Sequence, residues 1–121
     1  DWMPGGWDLE QAVRFCRWLR AEGVDLVDCS SGGIVPLSAI PAEPGYQVPF
    51  AERVRQDAGV PTGAVGRITE PAFAEQVLRD GRADLVLLGR EFLRQPYWGL
   101  RAAEALGAAP RWPRPYAWTV G

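Results

Sequence analysis

The chain has 121 residues, a formal net charge of −2, 47% hydrophobic residues and 23% charged residues. This composition is typical of one soluble globular domain, and the slightly acidic balance argues against a nucleic-acid-binding surface. No apolar run reaches the roughly 20 residues that a membrane-spanning helix needs, and the N-terminus has no signal-peptide pattern. We therefore expect no membrane partner and a cytoplasmic location.

Histidine is absent, which removes the usual general base and most zinc sites. We expect neither a catalytic residue nor a metal site in this chain. Both cysteines fit structural positions, because Cys16 falls on the apolar stripe of a predicted helix and Cys29 ends a predicted strand. Two buried thiols in a reducing compartment are expected, with a disulfide bridge or a reactive thiol as the alternatives.

The chain repeats a unit in which a helix ends at a glycine and a strand follows. In the first unit, Asp8 can cap the helix with Gln11 as its capping-box partner, and the strand covers 24–29. In the second unit, a helix that starts near Pro49 leads to a strand over 60–65.

The third unit begins with Thr69 as the predicted helix cap and Pro71 inside the first turn, and its strand covers 83–88. A last helix is predicted over 96–106. The tail over 108–121 is rich in proline, arginine and tryptophan and has no helical period.

Strands that alternate with helices run parallel, and a continuous apolar strand such as 85–88 is expected to be buried on both faces. Three strands alone would leave two open edges and little core, and a flavodoxin-like sheet needs more strands than these. The pattern predicts an α/β fold that is the back end of a (β/α)8 TIM barrel over residues 1–107, followed by a tail over 108–121.

Two of the predicted strands end in Gly-Arg, at Gly66-Arg67 and at Gly89-Arg90. Glycine lets backbone N–H groups approach an anion closely, and arginine supplies a charged fork. In a barrel, phosphates are often held after the last two strands. The two neighbouring strand ends therefore predict a phosphate-binding site.

At this point the sequence resembles the C-terminal part of the old yellow enzyme family, the FMN-dependent NAD(P)H dehydrogenases and ene-reductases. Within that family the chain is similar to the bacterial NADPH dehydrogenase and xenobiotic reductase subgroup. The matching stretches, in the family's order and spacing, are 23–32, 44–51, 61–66, 81–91 and 93–98. The resemblance implies that the chain supplies about strands six to eight of the barrel, without the earlier strands that carry the family's catalytic residues.

The resemblance also implies that Gly89 and Arg90 bind the FMN phosphate and that Gly66 and Arg67 share it. For Arg90 the alternative is a surface ion pair with Glu91, with Gly89 serving only as a turn. For Arg67 the alternative is a solvated charge.

Three further positions are implied to lie near the flavin. Ser31, with Ser30, is expected to bind the ribityl chain or the backbone at the strand end, or else to form a plain turn. Gln47 is expected to lie near the flavin, or else to cap the next helix. Trp118 is expected to enter the pocket of a neighbouring subunit; alternatively, Trp112 and Trp118 only fasten the tail to the barrel.

Other conspicuous residues have structural explanations. We assign Trp98 to packing, and we expect Asp25 and Asp84 to bond the helix–strand turns at the opposite end of the barrel rather than to form an acid/base or metal set with Asp28.

The resemblance implies a full-length homo-oligomeric enzyme that transfers hydride from NADPH through FMN to an electron-poor alkene. We expect this segment to anchor the FMN phosphate and to be inactive and poorly soluble alone. The alternatives are another phosphate-binding TIM-barrel enzyme and a non-catalytic half-barrel module that dimerises.

Overall fold

The computed structural model describes residues 1–34, 40–41 and 43–119 of the chain. The described elements follow one another as α1 (Leu9–Ala21), β1 (Val27–Cys29), α2 (Val48–Ala58), β2 (Thr62–Val65), α3 (Pro71–Arg79), β3 (Leu85–Leu87), α4 (Arg90–Arg94), α5 (Trp98–Ala105) and a 3-10 helix (Arg114–Thr119). The predicted α/β order is confirmed. No helix among the described residues is both long and apolar enough to span a membrane.

The three strands form one parallel sheet in the order β1-β2-β3. This arrangement confirms the predicted parallel sheet, although each strand is shorter than predicted. The first backbone bonds, from Val27 N to Pro61 O (2.9 Å) and from Asp84 N to Thr62 O (2.8 Å), tie the strand entrances together. All three strands therefore begin level with one another and end at the same edge.

Local signals explain where the helices begin and end. The predicted capping box is confirmed, since Asp8 Oδ1 accepts from Gln11 N (2.8 Å) and Asp8 N donates to Gln11 Oε1 (2.9 Å). Gly59 ends α2 in the left-handed conformation, with φ +67°. The predicted cap at Thr69 is wrong by one residue, because Glu70 occupies that position and its side chain makes no capping bond.

The helices cover one face of the sheet, and the other face is open. Asp28, Gly63 and Leu85 are neighbours across the three strands and so point to the same side. Asp28 is exposed and Leu85 is 49% exposed, whereas Ala64, whose side chain points to the opposite face, is fully buried. The expectation that β3 is buried on both faces is therefore wrong for this chain, because nothing in its described part packs on the second face.

The segment after β3 differs from the prediction in two places. A short helix, α4, begins directly at Arg90, and the tail forms a 3-10 helix where no helical period was visible. The last predicted helix is confirmed as α5. Trp98 is buried and donates its indole N–H to Thr69 O (2.7 Å), which confirms that it serves packing.

An ion-pair network closes the amino end of the sheet. Asp84 Oδ2 accepts from Thr62 N (2.9 Å) and from Arg55 Nε (3.0 Å). The hydrogen bond from Arg55 lowers the pKa of the Asp84 carboxyl. The structural role expected of Asp84 is confirmed, although it bonds a neighbouring strand; Asp25 makes no hydrogen bond or ion pair within the described part of the chain, so the same expectation is wrong for Asp25.

Candidate functional site

A cavity of about 530 Å³ lies at the carboxyl ends of β2 and β3. Its lining contains all four residues of the two Gly-Arg pairs, Gly66, Arg67, Gly89 and Arg90. Parallel strands in register bring their carboxyl ends to one edge, which is why residues 23 positions apart in sequence share this cavity. The structure thus brings together the residues that were predicted to act together.

The β2 end of the cavity is built from residues in the left-handed region of backbone space. Gly66 has φ +119° and Arg67 has φ +53°. A Cβ on Gly66 would stand 3.0 Å from both Gln47 Nε2 and Tyr46 Cε1, so this position requires glycine for two independent reasons. A non-glycine residue such as Arg67 pays a cost of roughly 1–3 kcal/mol for this conformation, and such positions cluster at functional sites.

The β3 end is open by comparison. Gly89 has φ −87°, and a Cβ built there would meet no atom of the described chain within 4 Å. The carbonyl of Gly89 accepts from Phe92 N (3.1 Å) and so begins α4, with Arg90 as the first helical residue. Contacts within the described chain therefore do not explain the glycine, and the space beside it is free for another group.

Glu91 and Arg94 form a pair that the sequence analysis missed. Glu91 is only 8% exposed; its Oε2 accepts from Arg94 Nη2 (2.7 Å), and its Oε1 accepts from Gln95 Nε2 (2.7 Å). The predicted alternative, an ion pair between Arg90 and Glu91, is wrong because Glu91 is already engaged. Recognising α4 would have revealed the i,i+3 spacing of this pair.

Arg90 consequently keeps its charge for the cavity. Its side chain is exposed and forms no ion pair within the described part of the chain. The cavity lining contains three arginines, Arg67, Arg90 and Arg94, against the single carboxylate of Glu91. The resulting positive balance suits a dianion such as a phosphate monoester.

Gln47 also lines this cavity, but most of its polar capacity is used by the protein. Its Oε1 accepts from Ser31 N (2.6 Å) and Ser31 Oγ (2.7 Å), and its Nε2 donates to Val65 O (3.2 Å). Although Gln47 is the N-cap residue of α2, its side chain makes no capping bond. The alternative that Gln47 only caps the helix is therefore wrong.

Ser30 and Ser31 line a different cavity, an apolar one of about 480 Å³ beside β1. The Ser31 hydroxyl accepts from Trp2 Nε1 (2.9 Å) and binds Gln47 Oε1, so Ser31 joins distant segments instead of forming a plain local turn. Binding of a ribityl chain by Ser31 stays a prediction. One lone pair of its hydroxyl oxygen is left to accept such a hydrogen bond.

Trp118 lies outside both cavities. It is 82% exposed, and its indole N–H donates to Pro115 O (2.9 Å) within its own 3-10 helix. Trp112, by contrast, is half-buried and packs against Tyr97 with ring centroids 5.5 Å apart. Trp112 fastens the tail, whereas Trp118 leaves a large aromatic surface exposed.

The two cysteines are buried and free, as expected, and the disulfide alternative is wrong. Burial raises the pKa of Cys29 to about 12, with smaller contributions from Cys16 and Asp28, so its thiol is protonated at neutral pH. The described residues contain no group of three or more His, Cys, Asp and Glu side chains placed to hold a metal ion.

The chain is similar in sequence to one protein family and to several NADPH dehydrogenases. The sequence pattern of the NADH:flavin oxidoreductase / NADH oxidase family matches residues 1–108. An NADPH dehydrogenase of Geobacillus thermodenitrificans is 55% identical over 107 residues, which are 88% of this chain and 31% of that protein. An NADPH dehydrogenase of Listeria innocua is 48% identical over 117 residues (97% of this chain, 34% of that protein), and one of Halalkalibacterium halodurans is 46% identical over 120 residues (98% and 35%).

The chain spans about a third of the length of these curated relatives. The family match covers most of the chain, and the similar stretches include the Gly-Arg strand ends around the cavity. The chain therefore belongs to the NADH:flavin oxidoreductase / NADH oxidase family, which confirms its resemblance to old yellow enzyme.

Proposed function

We propose that this chain is the phosphate-holding part of an FMN-dependent NAD(P)H oxidoreductase of the ene-reductase type. The observation that carries the proposal is the single cavity shared by Gly66-Arg67 and Gly89-Arg90. The names of the relatives, NADPH dehydrogenases, support NADPH as the electron donor.

The open face of the sheet supports a place within a larger barrel. Leu85 and Asp28 are exposed on the side that α1 to α3 leave uncovered. In a closed (β/α)8 barrel this side is the interior and is filled by side chains from other strands. We assign the three strands to about the sixth to eighth of such a barrel, over residues 1–107, with 108–121 as a tail.

Arg90 is the principal phosphate ligand in this proposal. Its guanidinium has no competing ion pair in the described chain, and Gly89 leaves open space beside it. A charge-assisted hydrogen bond of this kind contributes roughly 1.5–3 kcal/mol. Gly66 lets the β2 end approach the same anion closely, and Arg67 adds a second positive charge.

The chemistry that bound FMN supplies is hydride transfer from NADPH to an electron-poor alkene. The residues of this chain hold the phosphate and so orient the cofactor at the strand ends. Trp118 has the exposed surface needed to shape the pocket of a neighbouring subunit in a homo-oligomer.

The first test is Arg90→Ala in the full-length protein. We expect FMN affinity to fall well beyond tenfold, because a charge-assisted contact to the phosphate is lost. Arg79→Ala is the matched control, since Arg79 pairs with Glu75 on the surface of α3 and lies outside the cavity. The readouts are flavin content after gel filtration and titration of the apoprotein with FMN.

Unchanged flavin content in Arg90→Ala would refute the phosphate role. The reaction itself is tested by adding NADPH to the purified protein without oxygen. Bleaching of the flavin band, reversed by an enone, is expected of an ene-reductase. A protein that binds no flavin would instead favour another phosphate-binding barrel or a non-catalytic module.

A further inference from the structure

Gln47 joins the ends of two strands through one side chain. Its Oε1 accepts two hydrogen bonds from Ser31 at the end of β1, and its Nε2 donates to the carbonyl of Val65 at the end of β2. The residue is only 3% exposed, although it lines the phosphate-side cavity. A buried amide satisfied in this way resists displacement because breaking it leaves unpaired polar atoms.

The same turn holds Gly66 on both of its peptide bonds. Val65 O, on the peptide before Gly66, accepts from Gln47 Nε2, and Gly66 O accepts from Gly45 N (2.8 Å). Gln47 Nε2 also lies 3.0 Å from the position that a Cβ of residue 66 would take. The turn over 45–47 therefore maintains the unusual backbone of Gly66, and through it the direction in which Arg67 leaves the strand.

The hydrogen-bond donors in this network have a fixed order. The Trp2 indole N–H can only donate, so Ser31 Oγ accepts from it and gives its own proton to Gln47 Oε1. Ser31 N also donates to Oε1, which orients the amide so that Nε2 faces Val65 O. Trp2 and Ser31 line the other cavity and have no part in the phosphate-side lining.

We propose that Gln47 is a positioning residue for phosphate recognition: it holds Gly66 and Arg67 in their binding geometry through Val65, under the control of Ser31 and Trp2. This inference rests on the proposed function and gives Gln47, which is expected to lie near the flavin, a role that acts through the backbone of Gly66. It assigns a role to two residues, Trp2 and Ser31, that stand away from the cavity.

The test compares FMN with riboflavin, which lacks the phosphate. Apoprotein of the full-length enzyme is titrated with each flavin for Gln47→Leu, Ser31→Ala and Trp2→Phe. We expect the preference for FMN over riboflavin to fall about tenfold in Gln47→Leu and less in the other two, as hydrogen bonds are lost. The readout is the ratio of the two affinities, because loss of the ribityl contact predicted for Ser31 would lower both affinities alike.

The matched control is Gln56→Leu, an exposed glutamine on the same helix. Equal loss of FMN and riboflavin affinity in Ser31→Ala would mean that Ser31 serves the ribityl chain or the fold and not the phosphate, and would overturn the proposal. An effect confined to Gln47→Leu would make Gln47 a direct ligand and would also overturn it. Arg90→Ala is measured in the same way. If this variant keeps the preference for FMN over riboflavin, the phosphate site itself is wrong.

Discussion

The two ends of the sheet use arginine in opposite ways. At the amino end, Arg55 is bound to Asp84, whose carboxylate also holds the backbone of Thr62. At the carboxyl end, Arg90 is exposed and has no ion pair in the described chain. An arginine whose charge is matched within the fold stabilises structure, whereas an unmatched arginine beside a cavity is available for a ligand.

The two glycines at the carboxyl end of the sheet also differ, in their surroundings and in their backbone angles. Gly66 is enclosed by Gln47 and Tyr46 and has a positive φ, so the protein itself demands glycine there. Gly89 has a negative φ and open space in the described chain. The two positions resemble each other in sequence, but side chains enclose only Gly66; at Gly89 glycine is favoured by the backbone, whose ψ of −90° lies outside the preferred helical range.

Gly66→Ala should have the largest effect on the full-length protein. The added methyl group would press on Gln47 and force a residue with a side chain into φ +119°, at a cost of about 1–3 kcal/mol. Urea unfolding measures this loss in the free energy of unfolding. A variant as stable as the parent would contradict the claim that the Gln47 turn encloses this position.

Gly89→Ala should separate binding from stability. No described atom lies within 4 Å of the added methyl group, so the expected change in the free energy of unfolding is only the cost of a side chain at φ −87° and ψ −90°, about 1 kcal/mol. FMN affinity should nevertheless fall, since the methyl group occupies the space assigned to the phosphate. Flavin titration and urea unfolding on the same sample test both halves; destabilisation with normal flavin affinity would reverse the assignment.

Asp84→Asn should have the smallest effect, a loss of stability that is complete near neutral pH and disappears in acid. The folded-state pKa of Asp84 is lowered, so its contribution to stability is complete above the ordinary aspartate pKa of about 3.9 and disappears as the pH falls through the lowered value. The free energy of unfolding, measured between about pH 2 and 6, should decrease less steeply toward low pH in this variant than in the parent. Asp25→Asn is the control, and an identical change in both variants would exclude the Arg55 contact as the cause.

Local signals in the sequence predicted the helices and the sheet correctly. Helical periodicity and the capping box located α1, and alternation of helices with strands predicted a parallel sheet. The Gly-Arg pairs at residues 66 and 89 were predicted to share a site, and they line one cavity. A five-residue helix such as α4 is too short for periodicity, so its start at Arg90 and the Glu91–Arg94 pair were missed.

Local order along the chain was therefore determined by the amino-acid sequence alone: where helices are capped, where glycines end them and which strands terminate in Gly-Arg. Only the tertiary structure decided which side chains are already satisfied. The bonds of Gln47 to Ser31 and Val65 span 16 and 18 residues, and no periodic pattern encodes them. Whether a polar group is free for a ligand depends on its neighbours in space, because a hydrogen bond made within the fold removes that capacity from the site.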